Sequence, residues 1–128
     1  MNIYQEQILD HYKRPQNYGH LKKADRQIVL NNPLCGDKIS MDIIIKKGKI
    51  QDVSFFGETC AISTASASML TQYVKGKKIT DLKKLSSSFI FKLLGIDLSP
   101  SRVKCAVLPL EALHKLIINQ NFVAKEKT

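Results

Sequence analysis

Apolar residues first recur in this chain at a spacing of four, at Tyr4, Ile8 and Tyr12, and the pattern stops ahead of Pro15. That spacing lines one face of a helix and predicts a short amphipathic helix over residues 3–13 with a narrow apolar stripe. Pro15, Asn17 and Gly19 then predict a loop, and Ile28, Val29 and Leu30 a strand. From Lys38 to Lys46 the period drops to two, with Ile39, Met41, Ile43 and Ile45 alternating with polar residues and only Ile44 breaking the rule. This is the signature of a half-buried strand. Lys47-Gly48 can turn the chain into a further strand from Lys49 to Phe56, where Val53 and Phe55 share a face, Ile50 is out of phase and Asp52 marks a bulge. Three successive strands without helical crossovers imply an antiparallel sheet.

Beyond Gly57 the residues become small, and Ile62, Ala65, Met69 and Tyr73 fall at helical spacing. A helix is therefore expected from near Cys60 to Gly76, with a smooth face against the sheet. Ser63, Ser66 and Ser68 have no plausible general base nearby and read as close-packing residues rather than nucleophiles. Thr80 to Leu85 predicts a short capped helix, and Phe89, Ile90, Leu93 and Leu94 another, closed by Gly95. Leu110, Leu113, Leu116 and Ile117 describe a last amphipathic helix that starts at Pro109, acceptable in a first turn. His11 and His114 lie beside apolar stripes and read as packing, capping or surface residues. The expected fold class is α+β, a three-stranded antiparallel sheet packed against several helices. It is read as one domain over residues 1–128, with 121–128 a frayed tail.

Composition narrows the setting. The chain of 128 residues is long enough to bury a core without disulfides or a metal. No stretch approaches the roughly 18 apolar residues of a membrane-spanning helix, and the amino terminus lacks the basic start and apolar core of a signal peptide, so a cytoplasmic location is expected. Twenty Lys and Arg against 11 Asp and Glu give a net charge of +9, which would attract nucleic acid, anionic membranes or an acidic protein partner. The pairs Lys22-Lys23, Lys46-Lys47, Lys77-Lys78 and Lys83-Lys84 have no aromatics interleaved for stacking on bases. A solvated surface explains them at least as well, so neither a nucleic-acid nor a membrane partner is expected. A zinc-stabilised nucleic-acid-binding module is the alternative class.

The chemistry lies with three cysteines, an odd number that leaves free thiols, a metal site or thiol chemistry in a reducing compartment. In Asn31-Asn-Pro-Leu-Cys-Gly-Asp37, a thiol and a carboxylate flank Gly36 and read as half of a metal site. Cys60 is expected at a helix start, where unpaired amides and the helix dipole favour a thiolate. Cys105 is expected just before the last helix. Gaps of 25 residues from Cys35 to Cys60 and 45 from Cys60 to Cys105 match no zinc finger or Cys-x-x-Cys motif. Chemically, three thiolates and a carboxylate suit tetrahedral zinc, while iron and iron-sulfur chemistry stay open. Asp is a harder, weaker partner for zinc than thiolate, so such a site can open. Lys38, Arg102 and Lys104 adjoin the ligands in sequence and can offset their charge.

Ile8-Leu-Asp-His-Tyr12 with Pro15 and Asn17, Asn32-Pro-Leu-Cys-Gly-Asp37, Cys60-Ala-Ile-Ser-Thr-Ala-Ser-Ala-Ser-Met69 and Arg102-Val-Lys-Cys-Ala106 together resemble the iron-sulfur cluster assembly scaffold family of IscU, SufU and NifU amino-terminal proteins. Lys104 stands where IscU-type proteins carry His, and Leu98-Ser-Pro-Ser-Arg102 replaces their chaperone-binding segment, which brings the chain nearest the SufU branch. The short gap between Cys60 and Cys105 departs from that branch, and Thr59 stands where Gly commonly precedes the second cysteine. The resemblance implies a sulfur acceptor and scaffold that works with a pyridoxal-phosphate cysteine desulfurase and passes its product to downstream iron-sulfur acceptor proteins. It implies zinc held by Cys35, Asp37, Cys60 and Cys105, and a transient iron-sulfur cluster on the three cysteines. Cys35 is the implied sulfur acceptor, released from the metal when the partner supplies a replacement ligand, in the manner of a zinc-dependent sulfurtransferase.

Overall fold

The computed structural model describes residues 2–33 and 36–118. Helix α1 spans Ile3–Lys13 and begins at a capping box. The Asn2 side chain accepts the Gln5 amide at 2.8 Å, and Gln5 Oε1 accepts the Asn2 amide at 3.1 Å, so two amides with no helical partner are satisfied. Of the expected apolar stripe only Ile8 is buried, whereas Tyr4 and Tyr12 are 45% and 46% exposed. A tyrosine presents an apolar ring and a polar tip, and Tyr4 uses its ring to cover Gly95, where any Cβ would overlap it.

The sheet holds β1 (Arg26–Asn32), β2 (Asp37–Lys46) and β3 (Lys49–Glu58) in the order β1-β2-β3, antiparallel throughout, in agreement with the expected fold class. Lys47 and Gly48 have φ of 55° and 74°, the left-handed pair of a two-residue hairpin turn. Ile44 pairs with Asp52 and Ile45 with Ile50, so Gln51 is the extra residue of a bulge, one position ahead of the expected Asp52. The bulge returns Ile50 to the buried face with Val53 and Phe55. The outer edge of β3 is covered: the Gly19 amide donates to the Phe55 carbonyl at 2.7 Å, and the Phe55 amide to Asn17 at 3.0 Å.

The remaining helices are α2 (Ala61–Val74), α3 (Ile79–Leu82), α4 (Ser87–Leu94) and α5 (Pro100–Ile118). Helices α2 and α5 pack on each other and on the sheet, α2 against β3 and α5 against β1 and β2, with α1 against α2 and α4 against both helices. Tyr73, the last residue of the expected α2 stripe, stays partly exposed and packs its ring on Phe89 of α4, 4.6 Å between centroids. Helix α3 starts at Ile79 with Lys78 at its cap and no side-chain capping bond, so Thr80 lies inside it rather than capping it. Gly95 closes α4 in the left-handed conformation, φ 67°. His114 Nε2 lies 3.1 Å from the Leu82 carbonyl and ties α5 to α3.

Helix α5 corrects two expectations. It begins at Pro100, nine residues before Pro109, and Cys105 lies inside it rather than ahead of it. Ser99 and Pro100 supply an ordinary start: the Ser99 hydroxyl faces the Arg102 amide at 3.4 Å and proline tolerates the first turn. Pro109 is accommodated within the helix because its neighbour α2 takes over the backbone bond it removes, as described below. The tail expected at 121–128 lies outside the described residues.

Gly57 sits in β3 at φ 149°, and a Cβ there would overlap the Lys38 carbonyl of β2. Gly57→Ala is therefore expected to destabilise the protein by about 2–4 kcal/mol in chemical denaturation, from backbone strain together with a forced shift of the strand pair. His11 Nδ1 lies 2.6 Å from the Ser68 hydroxyl, and burial lowers the His11 pKa below its ordinary value against the opposing pull of Asp10. A group whose pKa falls on folding takes up protons more readily when unfolded. His11 thus leaves stability at its full value above the ordinary His range and erodes it as pH falls through the lowered pKa. Denaturation midpoints measured from pH 8 to pH 5 are expected to fall less in His11→Gln than in the unaltered protein.

Candidate metal centre

Side chains alternate along a strand, so Asp37 shares the face of Ile39, Met41 and Ile43, the buried row of β2. It continues that row to the strand's first residue, where the row runs out of apolar neighbours and meets the start of α2. There the carboxylate is held on both oxygens. The Cys60 amide donates to Oδ1 at 3.0 Å, and the Ser63 hydroxyl makes a short hydrogen bond to Oδ2. Unpaired amides and the positive end of the helix dipole favour an anion in this place.

Cys60 is the N-cap of α2, with extended backbone and its Sγ accepting the Ser63 amide at 3.5 Å. It is partly exposed, packed beside the core. Cys105 is buried in the second turn of α5, facing α2. Four residues on, Pro109 has no amide hydrogen to give the Cys105 carbonyl. The Ser63 hydroxyl reaches that carbonyl at 2.8 Å, and the Ser66 hydroxyl reaches the neighbouring Ala106 carbonyl at 2.6 Å. The serines read as close-packing residues are indeed buried, and Ser63 also replaces the one bond that Pro109 cannot give the Cys105 carbonyl.

One donor atom each from Asp37, Cys60 and Cys105 lies within 4.8 Å of the others. Zinc bonds of about 2.0–2.3 Å in tetrahedral geometry place donors about 3.3–3.8 Å apart, so the three are close enough to close on one ion. Two thiols and a carboxylate are also the donor chemistry zinc takes, and the set fits it. Cys35 lies outside the described residues, and its place in sequence is two residues before Asp37. Lys38, Arg102 and Lys104 are exposed, where screening by water leaves each with a weak influence on the site. Thr59 has its hydroxyl 2.6 Å from that of Thr64, which fastens the residue ahead of Cys60 to the first turn of α2. Ser63 is the site residue that sequence reading passed over. Its signal was the coincidence of Pro109 four residues after Cys105 with a serine three residues after Cys60.

A sheet of three antiparallel strands whose second strand, second helix and last helix converge on two thiols and a carboxylate defines an α+β protein with a candidate metal centre of mixed sulfur and oxygen donors. The NifU-like N-terminal domain family matches residues 3–128, and the chain belongs to this family. It is 39% identical over 131 residues to the zinc-dependent sulfurtransferase SufU of Bacillus subtilis, covering 88% of each chain. It is 32% identical over 117 residues to the iron-sulfur cluster assembly scaffold protein IscU 1 of Archaeoglobus fulgidus, covering 91% of this chain and 76% of that one. Among solved structures, a hypothetical protein at 35% identity superposes with a TM-score of 0.80 over 91% of this chain and 98% of its own. The NifU-like N-terminal protein of Brucella abortus, at 20% identity, shares the fold with a TM-score of 0.75 over 91% and 92%. Among the described residues no helix is long and apolar enough to cross a membrane.

Zinc that binds the folded centre and not the unfolded chain must stabilise the fold. At free zinc 100 times its dissociation constant the gain is about 2.7 kcal/mol, which corresponds to a rise of roughly 10 °C in Tm for a chain of this size. The rise, measured by scanning calorimetry against a chelated control, is expected to shrink in Cys105→Ser and in Asp37→Ala.

Proposed function

We propose that this protein serves iron-sulfur cluster assembly as a zinc-binding sulfur acceptor and scaffold that receives persulfide sulfur from a cysteine desulfurase. The observation that carries the reading is the convergence of Asp37, Cys60 and Cys105 on one point, in a chain of the family to which a zinc-dependent sulfurtransferase and an iron-sulfur scaffold also belong. Asp37, Cys60, Cys105 and Cys35 would hold the metal, with Cys35 the residue that accepts sulfur. When bound, zinc favours the thiolate form of its cysteine ligands and neutralises part of their charge.

The work of the chain's own residues follows from their placement. Cys60 and Cys105 are built into helices, and Asp37 is tethered to α2, so these three form the fixed side of the centre. Cys35 is carried on the segment joining β1 to β2 and is the partner-facing thiol in this reading. Transfer is a thiol exchange: the Cys35 thiolate attacks the outer sulfur of the desulfurase persulfide, a new S–S bond forms on Cys35, and the desulfurase cysteine leaves as its thiolate. No net oxidation occurs, because the sulfane sulfur moves with its oxidation state unchanged. Iron and the assembled cluster are cargo on the same three thiols, to be handed to downstream iron-sulfur acceptor proteins.

Incubation with the desulfurase of the same organism and cysteine, followed by mass spectrometry of the intact protein and its peptides, tests this directly. A gain of one sulfur on Cys35 is expected, with faster alanine production, and both are expected to disappear in Cys35→Ser. Absence of transfer to the unaltered protein would contradict the sulfur-acceptor function, and transfer lost only in Cys105→Ser would move the acceptor to that residue.

A further inference from the structure

We propose that Ser63 is the positioning residue of the centre, holding the Asp37 carboxylate in the orientation that retains the metal; this rests on the zinc-site reading above. Ser63 is fully buried, third in α2 after its cap, and bonds all three described donor residues, Cys105 through its backbone carbonyl. Its amide donates to Cys60 Sγ at 3.5 Å, its hydroxyl bonds Asp37 Oδ2, and the same hydroxyl lies 2.8 Å from the Cys105 carbonyl. Cys60 Sγ also lies 3.7 Å from the Ser63 hydroxyl.

A hydroxyl has one proton to give, yet two oxygen acceptors converge on this one. The second acceptor is there because Pro109 cannot supply the amide that the Cys105 carbonyl would take in an unbroken helix. The carboxylate, when ionised, is the stronger acceptor and draws the larger share of the proton. Asp37 is thus fixed by the Cys60 amide on one oxygen and Ser63 on the other. A carboxylate offers about four lone-pair sites on its two oxygens, so these two bonds do not exhaust its capacity as a ligand. Losing such an outer hydrogen bond typically weakens metal binding about 10–100-fold, since the ligand must then be ordered on binding.

Two roles have to be told apart, because the same hydroxyl satisfies the Cys105 carbonyl and orients Asp37. Pro109→Ala separates them by restoring an amide for the carbonyl while leaving the Asp37 contact alone. Zinc release to excess chelator, followed by stopped flow, and the visible d–d spectrum of the Co2+-loaded protein are measured for the full chain. Ser63→Ala is expected to release zinc about tenfold faster and to alter the Co2+ bands. Ser63→Thr, which keeps the hydroxyl, is expected to stay within about twofold of the unaltered protein on the same basis. In a Pro109→Ala background Ser63→Ala is expected to lose less stability in denaturation and still release zinc faster. In an Asp37→Ala background it is expected to change zinc release no further.

Unchanged release and spectrum in Ser63→Ala would overturn this assignment alone, provided the unaltered protein binds zinc. Rescue of slow release by Pro109→Ala, or undiminished acceleration without Asp37, would reduce Ser63 to a structural role and overturn it equally. An unaltered protein that takes up no zinc would overturn the metal reading and this assignment with it.

Discussion

The centre depends on one buried carboxylate set against the start of a helix. An ionised Asp removed from water is costly unless its oxygens are bonded, and Asp37 is bonded on both, by the Cys60 amide and the Ser63 hydroxyl. This pair of contacts joins the first residue of β2 to the first turn of α2. It also brings Cys60 to the carboxylate, since the cap residue whose amide donates is the one that carries the thiol. The same bonds that make burial tolerable therefore assemble half of the donor set.

The other half comes from how α2 and α5 pack. Every residue of α2 from Ile62 to Thr71 is buried, which calls for small side chains, and buried serines then require partners. Pro109 makes one of those partners available, since it has no amide to give the Cys105 carbonyl four residues earlier in α5. Ser63 and Ser66 meet the Cys105 and Ala106 carbonyls, so the contact between the helices is polar and specific in register. Cys105 is held at the depth of Asp37 by a bond to its own backbone. A feature that weakens an isolated helix is used here to fix a side chain.

Much of this was legible in the sequence, and the exceptions have physical reasons. Period-two alternation identified β2, and the phase slip at Ile50 announced the bulge, because a one-residue insertion exchanges the two faces of a strand. The parity that buries Asp37 was equally readable from Ile39, Met41 and Ile43. The start of α5 was misplaced because Pro109 looks like a helix beginning when the companion helix is not considered, and Ser99-Pro100 is the better start. Tyr4 and Tyr12 were placed on the apolar stripe of α1 by spacing alone, although their hydroxyls let them remain at the surface. Ser63 was harder to read as a site residue, because the coincidence of Pro109 with Cys105 gains meaning only once α2 lies beside α5, a relation no local pattern carries.

A thiolate-rich centre with one carboxylate has a balance of its own. Three thiolates would grip zinc tightly and protect it, and an oxygen donor weakens the grip enough for a thiol to be given up. In the reading proposed above, Cys60 at the cap of α2, Cys105 within α5 and Asp37 at the start of β2 hold the metal, and Cys35, two residues before Asp37 in sequence, is the thiol given up. X-ray absorption at the zinc edge tests this claim most directly. A first shell of about three sulfurs near 2.3 Å and one oxygen near 2.0 Å is expected, with the oxygen contribution lost in Asp37→Ala. A shell of four sulfurs, or one unchanged by removal of Asp37, would contradict the account.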